Sequence, residues 1–308
     1  MANKFALLVG INYIGTPNEL SGCINDVIMV RKYLIEKRGY LDSNIVMMRE
    51  DSNKFMKPNR VNMIAQITEL INKANKNNAS EIFFHYSGHG TYITDRNRDE
   101  IDGRDEMICP IDLNCITDDE LRTIVGQLNK NTVLYSIMDC CHSGTIIDLP
   151  FVYNYVNKKF ALIQNNAFRY PQLLNKNIFA ISGCRDEQYS SDVYQIYSPL
   201  NGTPEYSITQ NRAGGALTFF ILDLLNKNYP FLDCLLLLQQ NLAKNGFDQV
   251  PLLSSTKLIT KREITNNNPK IKTIINVGVN KGDKSINKTK LQKSNRNNKM
   301  LMVPVRNH

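Results

Sequence analysis

Two stretches decide the reading of this chain: EIFFHYSGHG at 81–90 and TVLYSIMDCCHSG at 132–144. Each is an apolar run of strand length that ends abruptly in small, polar and ionisable residues, the pattern of a buried strand running out into a turn. FALLVG at 5–10, NIVMM at 44–48 and NIFAISG at 177–183 repeat the strand pattern, and a last strand is expected near Val250–Ser254. Helical spacing separates them. Asn25 to Arg38 carries Val27, Val30, Leu34 and Ile35 and is closed by Gly39, while Val61 to Ala74 carries Ile64, Ile67, Leu70 and Ile71. Asp118 opens a helix through Leu128 with acids in its first turn, and 215–226 and 231–244 read as two more helices. The residues before Met107 read as a polar, acidic loop, and 145–176 as a short connection. Alternation of this kind predicts an α/β sandwich, a central, mostly parallel sheet flanked by helices.

In open α/β sheets the chemistry sits beyond the carboxyl ends of the strands. The third strand ends in His85-Tyr86-Ser87-Gly88-His89-Gly90 and the fourth in Asp139-Cys140-Cys141-His142-Ser143-Gly144. A cysteine and a histidine at one sheet edge are placed for thiol catalysis, in which the thiolate attacks a carbonyl and the imidazole manages the proton. Neighbouring glycines admit backbone N–H groups, those of Gly90 and Cys141, to a developing oxyanion. The chain has only four histidines. His85 lies inside a strand and reads as a partly buried structural residue. His142 adjoins Cys141, which is poor geometry for a side-chain hydrogen bond, and His308 is terminal. His89, between two glycines, is the candidate base. Cys140 and Cys141 point to opposite sides of an extended strand, so one of them faces the cleft, and periodicity does not say which.

The bulk composition limits the alternatives. The 308 residues suffice for one large core. No apolar run approaches the roughly 18–20 residues of a bilayer span, and the start, MANKFALLVGINY, is a poor signal peptide; a cytoplasmic protein is expected. Seven irregularly spaced cysteines without a CxxC pair argue against a disulfide framework and a structural zinc site, and most read as small buried groups. Residues 261–308 hold 12 Lys/Arg against 2 Asp/Glu, whereas 1–260 hold 25 against 27. The division is therefore a folded domain over 1–260 and a basic, Asn/Lys-rich, disordered tail over 261–308. The tail reads as a solubilising extension or a contact for polyanions, without specific nucleic-acid recognition.

HYSGHG followed by DCCHSG resembles the metacaspases, caspase-related cysteine peptidases. The likeness extends to LVGINY at 8–13, LSGCINDV at 20–27, DEMICPID at 105–112, DDEL at 118–121, DLPF at 148–151, ISGCRDEQ at 181–188, GGALT at 214–218 and FDQVPLLSS at 247–255. It implies a caspase-like sandwich, His89 as base and, at the second cysteine of the DCC run, Cys141 as nucleophile. It further implies an acidic specificity pocket of Asp26 and Asp139, with Cys23 and Ser87 beside them, suited to charge-assisted bonds with Arg or Lys of a peptide substrate. Asp105, Asp118, Asp119 and Asp148 match positions that bind calcium in some metacaspases, which makes Ca2+ the expected activator. The acidic run Asp95, Asp99, Glu100 and Asp102 reads as a solvated loop.

The short 145–176 connection resembles the type I arrangement and not type II, and a monomer is expected. Lys158, Lys159 and Arg169 are basic residues that such a pocket would accept in self-cleavage, although ordinary surface charge is the simpler reading. A binding or scaffold protein on the same fold, with little or no turnover, is the competing function. A redox role for vicinal Cys140 and Cys141 is disfavoured, because adjacent cysteines close a strained ring.

Overall fold

A computed structural model describes residues 3–94, 104–141, 144–156, 159–183, 192–193, 214–247 and 249–259. The basic stretch 261–308, the acidic run from Asp95 to Asp102, and His142, Lys158 and His308 lie outside the described residues. In chain order the elements are β1 (Lys4–Gly10), α1 (Cys23–Arg38), β2 (Ile45–Met48), α2 (Arg60–Lys76), β3 (Glu81–Ser87), β4 (Gly90–Thr94), β5 (Arg104–Ile108), β6 (Ile116–Thr117), α3 (Asp118–Val125), β7 (Val133–Asp139), β8 (Phe151–Val156), β9 (Lys159–Asn165), β10 (Asn177–Ser182), β11 (Asp192–Val193), β12 (Gly214–Gly215), α4 (Ala216–Asn226), α5 (Cys234–Lys244) and β13 (Leu252–Ser255).

Eight strands form the central sheet in the order β2-β1-β3-β7-β10-β13-β8-β9. The first five run parallel; β13, β8 and β9 close the sheet in antiparallel pairs. The inner parallel strands are buried on both faces, which explains their unbroken apolar runs, while the edge strand β2 is mostly half-buried. Strand alternation divides each of them between two cores. From β1, Ala6 and Leu8 join Phe83, Ile137 and the apolar faces of α1, α4 and α5. Leu7 and Val9 join Phe84, Tyr86, Met138 and the faces of α2 and α3. A capping box of Thr117 and Glu120 starts α3, so the acids Asp118, Asp119 and Glu120 occupy its first turn, where the helix dipole favours them.

The α/β sandwich expected from the sequence is present, with two additions. Residues 145–176, read as a plain connection, contain the β8–β9 hairpin that extends the sheet. The stretch read as a polar loop is flanked by an antiparallel ribbon, β4 on β5 on β6, that begins directly after His89. Alternation is weak in both: Leu162 and Ile163 are exposed on β9, and Tyr92 and Ile93 on β4. Those apolar residues face solvent, so they leave no burial pattern to read.

His85 is fully buried in β3, as expected of a structural histidine, and its Nδ1 donates to the Ile137 carbonyl at 3.0 Å. Burial disfavours the imidazolium and lowers its pKa to about 4. The unfolded chain therefore takes up this proton more readily than the folded one. The contribution is complete above the ordinary histidine value and is lost as pH falls toward 4. It amounts to about 3 kcal/mol between pH 7.5 and pH 4. Urea unfolding of wild type and His85→Leu at the two pH values is expected to show the acid-side loss shrinking by about that amount in the variant.

Candidate active site

In-register pairing of β3 with β7 sets Ser87 opposite Asp139 at the carboxyl edge of the sheet. Both lie at the alternation position of Phe83 and Ile137, which places them on the α1/α4 face. There Asp26, fully buried in the first turn of α1, accepts a hydrogen bond from Ser87 Oγ at 2.7 Å. Its carboxylate also accepts the Gly215 N–H at 3.0 Å. Asp139 accepts the backbone N–H of Thr218 at 2.9 Å and its hydroxyl at 2.8 Å. The start of α4 thus presents donors to both acids. Gly215 is wedged between them: a Cβ there would lie 2.1 Å from Asp139 Oδ2 and 2.9 Å from Asp26 Oδ2. Only a residue without a side chain admits this approach. Cys23, buried at the first position of α1, lies just short of one turn before Asp26. Of the four residues expected to form a pocket, Asp26, Ser87 and Asp139 converge from one helix and two strands; Gly215 and Thr218, within the GGALT stretch of the family likeness, join them without having been assigned a role.

His89 and Cys141 each stand two residues beyond the Ser87–Asp139 pair. Gly88 N–H donates to the Asp139 carbonyl at 3.3 Å, carrying the pairing past the strand ends. Gly90 then packs so tightly on the second segment that a Cβ would lie 2.0 Å from the Cys141 carbonyl oxygen. Cys140 is completely buried in the α2/α3 core, whereas Cys141 is half-buried. Strand alternation, which left the two cysteines equivalent, is resolved by this packing: the second has access to solvent.

The imidazole of His89 is held from several sides. Its Nε2 lies 2.8 Å from the Asn18 carbonyl oxygen. A carbonyl only accepts, so Nε2 carries the proton and Nδ1 keeps a lone pair. The Tyr13 ring lies against the imidazole at 4.6 Å between centroids. Tyr13 Oη accepts the His89 N–H at 3.0 Å and donates to the Cys109 carbonyl at 2.5 Å. Tyr86 Oη lies 3.2 Å from it, donates to the His89 carbonyl at 2.7 Å and receives the Cys109 N–H at 3.2 Å. Burial raises both phenols far above their usual range, so they remain neutral donors. Tyr13 occupies the left-handed backbone region at φ 53°, unusual for a bulky residue and typical of strain kept at functional positions. Tyr13 falls within the LVGINY motif, but a lone tyrosine after a strand gives no signal of its distant partners.

The four aspartates expected to bind calcium fall on three segments of one side of the molecule. Asp118 is buried and accepts the Glu106 N–H at 2.9 Å and the Asp119 N–H at 2.7 Å. Burial nevertheless pushes its pKa up to about 7, with the Asp119 charge adding to the rise. Asp119 and the buried Asp148 both pair with the guanidinium of Arg122, which stacks on the Tyr170 ring at 4.1 Å. Asp105 is buried on β5 next to Glu106, whose carboxylate accepts the Thr145 hydroxyl. Among the described residues no three such side chains form a ready-made cage for a metal. The donor chemistry does fit a hard cation. It consists of carboxylate oxygens from several loops, one of them buried and raised in pKa, with Arg122 now compensating two of the others.

A protein-family model described as "Metacaspase, peptidase C14 domain" matches residues 4–150. Metacaspase-1 of Schizosaccharomyces pombe is 34% identical over 81% of this chain and 66% of its own length. Metacaspase-2 of Trypanosoma brucei brucei is 34% identical over 82% of this chain and 73% of its own. The chain thus spans about two thirds of the length of these relatives. A crystal structure of a Geobacter sulfurreducens protein superposes with a TM-score of 0.53 at 21% identity, covering 85% of this chain and 96% of that one, a likeness of fold.

The Gly215 wedge is testable without an assay of activity. Gly215→Ala forces a methyl into two buried carboxylates. A loss of about 1–3 kcal/mol, the usual cost of overpacking, is expected in thermal or urea unfolding.

Proposed function

The chain belongs to the metacaspase family of cysteine peptidases, and on that premise we propose that it is an endopeptidase cleaving after Arg or Lys. The observation that carries the specificity is the convergence of Asp26 and Asp139 on Gly215, at the same sheet edge as His89 and Cys141. Two buried carboxylates favour a cationic side chain through charge-assisted hydrogen bonds and repel an acidic one. The Cys141 thiol is the nucleophile. His89, with Nε2–H committed to the Asn18 carbonyl, takes the thiol proton on Nδ1. The thiolate adds to the scissile carbonyl, and the backbone N–H groups of Gly90 and Cys141 are the donors assigned to the oxyanion. His89 then returns the proton to the leaving amine, and water releases the acyl group from sulfur.

Calcium is the proposed activator, held by Asp105, Asp118, Asp119 and Asp148; bound there it would supply the positive charge that the buried Asp118 lacks. Self-cleavage is a further part of the reading, and Lys159, exposed at the start of β9, is a basic residue that such a pocket would accept. Peptide or protein substrates with Arg or Lys before the scissile bond are the proposed partners, the protein acting as a cytoplasmic monomer whose basic tail is available to polyanions.

Fluorogenic peptides ending in Arg, Lys or Asp, tested with calcium and with chelator, check the proposal. Cleavage of the Arg and Lys peptides in calcium is expected, and none by Cys141→Ala. Asp26→Asn is expected to lower kcat/KM for the Arg peptide by about ten- to hundredfold, corresponding to a charge-assisted hydrogen bond of about 1.5–3 kcal/mol. Preference for the Asp peptide would sink the pocket assignment. Inertness toward every peptide at all calcium levels would favour the scaffold function.

A further inference from the structure

Cys109 and Cys115 flank the turn that joins β5 to β6. The turn is closed by the Leu113 N–H donating to the Pro110 carbonyl at 2.9 Å, with Leu113 in the left-handed region at φ 57°. This folds the chain back on itself and brings the two Sγ atoms to 3.1 Å, both as free thiols. A disulfide needs about 1 Å of further approach. Cys109 is buried and Cys115 half-buried, so an oxidant reaches the second sulfur first. We propose that Cys109 and Cys115 are a redox-active dithiol, oxidised to an intramolecular disulfide by hydroperoxides and returned to the thiols by a dithiol reductant.

Two features support the assignment of roles within the pair. The Cys115 thiol is held below its ordinary range by its contact with Cys109 and by the nearby Arg60 cation, with Asp112 opposing. Cys109 is pushed up by that same contact and by burial, so it keeps its proton. Arg60 is fixed in place, its guanidinium donating to the Cys115 carbonyl and pairing with Glu120. The Cys115 thiolate therefore attacks the hydroperoxide. An S–O bond forms, the O–O bond breaks, and the alcohol leaves with a proton, giving a sulfenic acid. The Cys109 sulfur then displaces the sulfenic oxygen, which departs as water with the Cys109 proton as the S–S bond forms. The two thiols are oxidised by two electrons and one hydroperoxide is reduced.

The location gives the pair its consequence. Cys109 shares its N–H between the His89 carbonyl, at 3.0 Å, and Tyr86 Oη, and accepts the Tyr13 hydroxyl on its own carbonyl. A disulfide here braces the turn whose backbone holds His89. The inference is independent of the peptidase reading, since it concerns thiols that the proposed reaction does not use.

Both cysteines fall in one tryptic peptide, 105–122, between Arg104 and Arg122. Cys141→Ala protein, which keeps both thiols, is treated with limiting hydrogen peroxide, alkylated and digested. The expected product is this peptide without alkyl groups and lighter by two hydrogen atoms, converted by dithiothreitol to the doubly alkylated form. In Cys109→Ser, where the sulfenic acid has no resolving partner, a dimedone adduct on Cys115 is expected. The proposal is overturned if Cys115 proceeds to sulfinic acid while Cys109 is alkylated, if both stay alkylated while other cysteines oxidise, or if either pairs instead with another cysteine.

Discussion

Parallel pairing of β3 with β7 is the constraint on which the rest of the site depends. It matches Ser87 to Asp139, and every functional candidate at that edge takes its place relative to this pair. A shift of β3 by one residue would turn Ser87 toward α2 and α3, away from Asp26 and Asp139, and would move His89 out of step with Cys141. The register is held by burial on both faces: Ile82, Phe84 and Tyr86 pack on one side, with Phe83 and Ile137 on the other. The hydrophobic cores thus act on function through the alternation of a strand.

At that edge Asp26, Ser87 and Asp139 are buried and hydrogen-bonded. The start of α4 supplies donors to Asp26 and Asp139, and the Tyr13–Tyr86–Cys109 network secures the backbone of His89. Buried acids and phenols are costly to strand without partners. The same contacts that stabilise the fold therefore fix the backbone of His89 and hold the two carboxylates at the sheet edge. Preorganisation of this kind leaves little rearrangement for the reacting groups.

Much of this was legible in the sequence, for identifiable physical reasons. The inner parallel strands announce themselves as continuous apolar runs because both faces are covered, and α2 shows helical spacing at Ile64, Ile67, Leu70 and Ile71, of which Ile64 is only partly buried while Met63 takes the core position. The β8–β9 hairpin was missed because it is an edge: Leu162 and Ile163 point to solvent, so its pattern does not alternate cleanly. Of the site, His89 emerged from position alone, whereas the choice of Cys141 needed the family likeness. The structure adds that Cys140 is buried and Cys141 half-buried. Gly215 lies in the GGALT stretch of the family likeness, but its packing role, Asn18 and the Cys109–Cys115 contact each depend on an approach between segments that no local pattern encodes.

The central claim is that Cys141, assisted by His89, is the nucleophile of a site that selects a basic side chain. A peptidyl arginyl fluoromethyl ketone tests it directly, by intact mass and peptide mapping after reaction with wild type and His89→Ala. A single adduct on Cys141 is expected in the wild type, and its loss in the variant. An adduct on Cys140, or equal labelling of both proteins, would contradict it.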